Sequence, residues 1–205
     1  MTLGILAVAL ITLVGGLPWL GVPLIVLAIA VGSFFRDPER RANAPKNAVI
    51  SAADGKVCDV SEAPLPEASG QLSRRVAVFM SPLNVHVNRA PIGGRIVRVA
   101  HTPGEFRAAY RDDASEHNEH NVIVLADDAG RRYAIVQIAG YLARRIVCRV
   151  KPGEHIDRGA RVGLIMFGSR VDHFFPLDCR VKVAVGDRVR AGESVLAEYA
   201  ADGSG

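Results

Sequence analysis

Gly153-Glu154-His155-Ile156-Asp157-Arg158-Gly159-Ala160-Arg161-Val162 and Gly186-Asp187-Arg188-Val189-Arg190-Ala191-Gly192-Glu193-Ser194-Val195 obey one pattern, G-[ED]-x-[IV]-x-x-G-x-x-V. Each copy offers a turn glycine, an aliphatic residue to bury, a second turn glycine and then the start of a strand. A unit repeated within so short a stretch points to two similar halves wrapped around one core. The chain between the copies must cross from one half to the other, and Gly168-Ser169 lies on that crossing. The pair is expected in an exposed, tightly turned connection.

Outward from the repeat, short runs rich in Val and Ile are separated by Gly, Pro, Asp and Asn, the signature of strands and turns. Strands are expected over Arg75–Met80, Arg95–Ala100, Asn121–Leu125, Tyr133–Ile138, Ile146–Val150, Val162–Ile165, Val181–Val185 and Val195–Tyr199, with a loop over Pro64–Gly70. No long amphipathic helix pattern appears between residues 50 and 200. The fold class is therefore mostly β, and the paired β-turn units resemble the barrel-sandwich architecture of biotinyl/lipoyl-like domains.

The first charge in the chain is Arg36; residues 1–35 carry none. One helix over residues 3–35 would run about 50 Å, beyond a ~30 Å hydrocarbon core. Gly15, Gly16, Pro18, Gly21 and Pro23 interrupt it between two apolar runs, Leu3–Val14 and Val22–Val31. A re-entrant hairpin, one kinked span and two interfacial segments all fit. Residues 1–35 are thus read as a hydrophobic, helical membrane-attachment segment and residues 36–205 as the β-rich domain. No Lys or Arg precedes the apolar run, which argues against a cleaved signal peptide. Arg36, Arg40, Arg41 and Lys46 follow it and place the domain on the cytoplasmic side of the cell membrane.

Hydrophobic residues make up 49% of the 205 residues and charged ones 22%, enough to build a core and to exclude wholesale disorder. Three scattered cysteines, Cys58, Cys148 and Cys179, form no C-x-x-C pair, against a cysteine zinc site and a disulfide framework. The net charge of +4 suits anionic lipid as well as nucleic acid and decides neither.

Chemistry begins at Phe167-Gly168-Ser169-Arg170. Glycine leaves its carbonyl open to attack and tolerates backbone angles other residues resist, and a serine hydroxyl becomes a nucleophile when a base takes its proton. A histidine oriented by a carboxylate is the usual base. The candidates are His86, in Ser81-Pro82-Leu83-Asn84-Val85-His86-Val87-Asn88-Arg89-Ala90-Pro91, and Asp54, in Ser51-Ala52-Ala53-Asp54-Gly55-Lys56-Val57. His117-Asn118-Glu119-His120 has the H-x-x-H spacing of a metal pair, but no third ligand is evident and no metal is assigned. Arg144, Arg145, Arg149 and Lys151 read as a solvated basic face within reach of lipid phosphates.

Phe34-Phe35-Arg36-Asp37-Pro38-Glu39-Arg40, Ala53-Asp54-Gly55, Ser81-Pro82…His86…Pro91, Asn118-Glu119 and Phe167-Gly168-Ser169 occur in this order. Together they resemble the phosphatidylserine decarboxylase family in its short form, over nearly the whole chain after residue 33. The resemblance implies that Ser169 attacks the Gly168 carbonyl and shifts the amide to an ester. β-Elimination then releases the upstream chain, and hydrolysis of the dehydroalanine with loss of ammonia leaves a pyruvoyl group, the covalent cofactor. The products would be a β chain of residues 1–168 and an α chain of residues 169–205, associated as a heterodimer, with any higher oligomer left open. Asp54, a histidine and Ser169 would form the acid/base set for cleavage. Longer members resemble S-P-x-x-x-H-x-x-H-x-P, whereas Arg89 stands here at the second histidine's place. His86 then serves both steps, or His117 or His120 takes one.

The implied reaction forms a Schiff base between the pyruvoyl carbonyl and the amine of phosphatidylserine, loses CO₂ into that electron sink and releases phosphatidylethanolamine. The implied partner is phosphatidylserine in an anionic membrane, and no nucleic acid is expected. A membrane-tethered, non-enzymatic biotinyl-like adaptor would share the apolar segment and the repeat but would remain one intact chain. A serine hydrolase would keep its serine, and the G-x-S-x-G elbow is absent.

Overall fold

The computed structural model describes residues 2–66, 71–107, 117–141, 145–166 and 168–199, in two compact units, Met1–Pro38 and Glu39–Gly205. Phe167, Arg144 and the 67–70 part of the expected loop lie outside the described residues.

In the first unit, α1 (Thr2–Val14) and α2 (Pro18–Phe34) fold back on each other through Gly15-Gly16-Leu17, Gly16 taking φ +77°. A small residue allows the close approach: a Cβ on Gly21 would sit 2.5 Å from the Leu13 side chain and 3.1 Å from the Ala9 carbonyl oxygen. The single kinked span is thereby replaced by a helical hairpin. No helix among the described residues is long and apolar enough to cross a membrane.

The second unit is mostly β. In chain order its strands are β1 (Ala48–Ile50), β2 (Gly55–Pro64), β3 (Leu72–Met80), β4 (Val87–Arg89), β5 (Gly94–Thr102), β6 (His120–Ala126) and β7 (Arg132–Ile138). They continue as β8 (Ile146–Cys148), β9 (His155–Ile156), β10 (Arg161–Ile165), β11 (Ser169–Phe175), β12 (Cys179–Val181), β13 (Arg188–Val189) and β14 (Val195–Tyr199). An eight-stranded antiparallel sheet has the order β13-β2-β3-β11-β7-β6-β5-β9, beside two three-stranded sheets, β1-β14-β12 and β4-β10-β8.

That order reads the same from both ends once β2 is matched with β5, β3 with β6, β11 with β7 and β13 with β9. Each small sheet likewise matches the other. The register agrees: β2 bulges between Val57 and Asp59, and β5 bulges between Ile96 and Arg98, each shortly after its opening glycine. The Gly192 N–H bonds the Ser51 carbonyl at 2.8 Å, as the Gly159 N–H bonds the Ala90 carbonyl at 2.9 Å. All four repeat glycines have positive φ, between 79° and 104°, which accounts for glycine at those places.

Strands β4–β10 form one half without interruption. The other half is split, β1–β3 before them and β11–β14 after. In the continuous half, β6 and β7 are joined by a tight turn at Asp127–Arg131; in the split half, β3 and β11 are the corresponding pair. Here the whole second half is inserted between Met80 and Ser169, which face each other across the sheet. The crossing expected from the repeat is therefore present, but Ser169 is fully buried rather than exposed.

One face of the large sheet packs on the main core with Val57, Val78, Ile123, Ile135, Val171 and Phe175. The other face carries Val122, Val136, Ile138 and Phe174. On that outer face the Arg170 guanidinium grips the Asp172 carboxylate with two bonds, 2.7 and 2.9 Å, both side chains being almost wholly buried. Burial pushes the Asp172 carboxyl up, while Arg170 and Arg75 pull against it. Strands β2 and β11 escape a reading by Val/Ile runs, and the expected Val181–Val185 strand ends at Val181.

Candidate active site

Gly168 takes φ +62°, and nothing lies within 4 Å of the place a Cβ would occupy. What favours glycine there is the backbone angle, not lack of space. Ser169 follows as the first residue of β11, the strand between β3 and β7 at the centre of the large sheet. Its Oγ is buried and makes no hydrogen bond among the described residues. A buried hydroxyl left so is an uncompensated cost, the kind of feature kept where chemistry needs it.

His86 arrives on the same side of the crossing. The chain leaves β3 at Met80 and turns at once: the Asn84 carboxamide oxygen accepts from the Ser81 N–H at 2.9 Å and from the Ser81 hydroxyl at 2.7 Å. This brings His86 to the start of β4, where its carbonyl accepts from the Ile165 N–H at 3.3 Å, four residues before Ser169. The His86 ring is buried, and its Nδ1 lies 2.9 Å from the Asn84 carbonyl. A carbonyl only accepts, so Nδ1 carries the proton and Nε2 the basic lone pair.

Asp54 lies in the turn between β1 and β2. Its carboxylate receives both terminal nitrogens of Arg40, that to Oδ2 at 2.9 Å, and the Ala191 N–H at 2.8 Å. Its hydrogen bonds among the described residues go there, and none goes to His86 or Ser169. Among the described residues the His86 ring bonds the Asn84 carbonyl and not Asp54. Arg40, one of the four cations that follow the apolar segment, has a side chain only 7% exposed that pairs with Asp54. Arg36, Arg41 and Lys46 remain exposed.

The other histidines divide by face. His120 stands with Val122 on the outer face and lines a cleft of about 240 Å³ with Arg75, Asp172 and Phe174. His117 is exposed. Ser169, Val171 and His173 alternate onto the opposite, core-facing side. Asn118 pins the neighbouring segment, donating to the Arg107 carbonyl at 2.8 Å and the Ala139 carbonyl at 2.7 Å. A larger cleft, about 630 Å³, lies at the counterpart turn of the continuous half, lined in part by Gly93, Asp127, Arg131, Arg158 and Tyr199. Arg131 stands there in the place of Ser169 and Gly93 in that of Asp54, so this cleft carries neither group of the candidate site.

Residues 27–197 match the family described as phosphatidylserine decarboxylase. The chain belongs to that family. It is 45% identical over 179 residues to the phosphatidylserine decarboxylase proenzyme of Magnetococcus marinus, 86% of this chain and 82% of that protein. With the proenzyme of Solidesulfovibrio magneticus it shares 45% over 195 residues, 94% of this chain and 91% of that protein. The proenzyme of Desulfotalea psychrophila is 46% identical over 165 residues, 80% and 77% of the two chains. As a member of the phosphatidylserine decarboxylases the chain is an enzyme, a decarboxylase.

Within the family frame one further residue matters that no motif had marked. His173 is fully buried on β11, its Nδ1 2.9 Å from the Val76 carbonyl, while its Nε2 accepts from the Ala52 N–H at 2.8 Å. It ties the turn bearing Asp54 to the strand that opens with Ser169. Burial lowers its pKa to about 4, against a small opposing pull from the Val76 carbonyl. The unfolded chain takes up this proton near pH 6.5 and the folded one refuses it until about 4. The stability due to the neutral ring is thus complete above pH 6.5 and lost as pH falls toward 4, by roughly 3 kcal/mol. Urea denaturation at stepped pH should show this slope, and His173→Gln should flatten it; equal slopes in both proteins would remove His173 as its source.

Proposed function

We propose that the chain is a self-processing proenzyme that converts phosphatidylserine to phosphatidylethanolamine with a pyruvoyl group made from Ser169. The observation that carries this reading is the buried Ser169 hydroxyl, without a hydrogen bond among the described residues, directly after Gly168 at positive φ, in a member of this family. The residues suit the group: among the described residues the hydroxyl has no bond to give up before attack.

His86 Nε2 is the base that takes the Ser169 hydroxyl proton as Oγ adds to the Gly168 carbonyl. The ring passes that proton to the Ser169 nitrogen as the Gly168–Ser169 C–N bond breaks, giving an ester with a free amine. A base then removes the Ser169 α-proton, the Cβ–O bond breaks, and the Gly168 carboxylate leaves. Water replaces the nitrogen of the resulting dehydroalanine, and ammonia departs. Cleavage need not separate the pieces: β11 pairs with β3 and β7, β14 with β1, and β13 with β2, so every pairing across the cut survives it. The two chains stay together as a heterodimer. The pyruvoyl carbonyl supplies an attachment point for the substrate amine and a sink for the electrons left by CO₂. His86 returns a proton to the carbon that lost CO₂.

The apolar hairpin attaches the enzyme to the cytoplasmic face of an anionic cell membrane. Leu3, Leu10, Ile11, Trp19, Val26 and Ile29 are exposed on it, so its surface is apolar all round. At 13 and 17 residues the helices run about 20 and 25 Å, which suits insertion into one leaflet better than a crossing. A barrel-sandwich likeness fits the two-halved sheet.

Denaturing electrophoresis and mass spectrometry test the proposal on the wild-type chain. Nucleophilic self-cleavage yields fragments of roughly 18 and 4 kDa from the 21.9 kDa chain, the smaller blocked at its amino terminus. Vesicles containing phosphatidylserine should release CO₂ with the processed protein. An intact, active single chain would overturn the reading.

A further inference from the structure

The two halves serve as an internal comparison. Gly55 pairs with Val189 as Gly94 pairs with Ile156, so the turn before each glycine has a counterpart in the other half. Asp54 corresponds to Gly93, Ala191 to Arg158 and Ser169 to Arg131. In the continuous half the chain makes this turn with no side chain at all; a Cβ on Gly93 would sit 3.4 Å from the Arg158 nitrogen, where Asp54 bonds the Ala191 N–H. The architecture therefore does not demand a carboxylate at the turn. It occurs only in the half that holds the serine, and it comes with a buried arginine.

That arginine closes a small ring. Arg40 directs its two terminal nitrogens at the two oxygens of Asp54, and Nη1 also donates to the Ala191 carbonyl at 2.7 Å. The Ala191 N–H returns to Asp54 Oδ1. The Arg40 and Asp54 side chains are 7% and 10% exposed. A carboxylate so buried keeps its angle only if it is matched by a partner of fitting geometry. Lysine has the charge but lacks the planar fork.

We propose that Arg40 is a positioning residue for self-cleavage: its fork holds the Asp54 side chain aimed against the 190–192 turn of the segment that becomes the α chain. This rests on the reading of Ser169 as the self-cleaving residue. A group that sets the geometry of a reacting site typically costs on the order of 10- to 100-fold in rate when lost.

The test follows the cleavage of newly purified full-length protein by time-resolved electrophoresis, with thermal melting to confirm folding. Arg40→Ala should cleave about 10- to 100-fold more slowly, and Arg40→Lys should recover only part of the loss. Millimolar guanidinium, far below denaturing levels, should restore Arg40→Ala cleavage, whereas equal sodium chloride should not. A folded Arg40→Ala chain that cleaves at the wild-type rate overturns the inference. Slowed cleavage that guanidinium fails to restore also overturns it, since a purely structural loss would behave so. If Arg40→Ala does not fold, Arg40→Lys decides: wild-type cleavage there removes any need for the fork. Failure of the wild-type chain to cleave would instead sink the underlying reading of Ser169, so the two failures are distinct.

Discussion

Ser169→Ala leaves the chain whole and without decarboxylase activity, yet at least as stable as the wild type. The first part follows from chemistry. Alanine has no oxygen to attack the Gly168 carbonyl, so no ester forms, nothing is eliminated and no ketone arises. The second part follows from burial. The Ser169 Oγ is inaccessible and makes no hydrogen bond among the described residues, so the wild-type fold carries the desolvation cost of that hydroxyl with no return. Removing it should relieve roughly 1–3 kcal/mol and raise the melting temperature of the uncleaved chain. This pairing matters, because loss of function accompanied by a gain in stability cannot be attributed to misfolding. Electrophoresis, the melting curve and CO₂ release from phosphatidylserine vesicles measure the three parts. Cleaved and active Ser169→Ala protein would end the assignment. An intact variant markedly less stable than wild type would show that the hydroxyl has a structural partner.

Why some of this architecture was readable, and some not, comes down to which interactions leave a local trace. The repeat left one, because a turn needing positive φ nearly dictates glycine, and two such turns at equal spacing recur in both copies. From that pattern, together with its likeness to barrel-sandwich domains, the two halves and the crossing at Gly168-Ser169 followed. Strand β11 left no such trace. Both its faces are buried, and it places Ser169, Arg170, Asp172 and His173 where a strand reading expects alternating apolar residues. These polar groups are tolerable because Arg170 and Asp172 satisfy each other and His173 bonds two backbone groups, partnerships that appear only once the sheet is assembled. For the same reason Ser169 could be placed on the crossing but not recognised as buried. The Arg40–Asp54 pair was illegible too. Fourteen residues separate the partners and 137 separate Asp54 from Ala191, so spacing says nothing of their contact. Arg40 instead resembled its exposed neighbours, and the positive-inside tendency absorbed it. The apolar segment showed its composition plainly, but its hairpin depends on how small residues such as Gly21 pack, which hydropathy does not encode.

His86→Ala should slow self-cleavage on the order of 10²- to 10⁴-fold, the usual contribution of a positioned general base. The Ser81–Asn84 turn directly after Met80 delivers His86 to the start of β4, and Met80 is the residue opposite Ser169. The inserted half of the domain thus leaves the sheet and returns to it at one place, with a histidine on the way out and a serine on the way back. The Asn84 carbonyl fixes the proton on Nδ1, so the basic nitrogen is Nε2 in the folded chain before any substrate arrives. Alanine removes that base and leaves the turn, which is built from Ser81 and Asn84, intact. His120 is an inadequate substitute because it projects from the outer face of β6, across the sheet from the Ser169 side chain. The measurement is the half-time of conversion from the intact chain to two fragments, alongside CO₂ release by whatever fraction matures. Wild-type cleavage combined with lost decarboxylation in His86→Ala would confine His86 to the second step and require a different cleavage base. Asn84→Ala offers a finer check, since it loosens the turn but keeps the carbonyl that sets the tautomer. It should slow cleavage less than His86→Ala does, and an equal loss would mean that placement of the ring, rather than its basicity, limits the reaction.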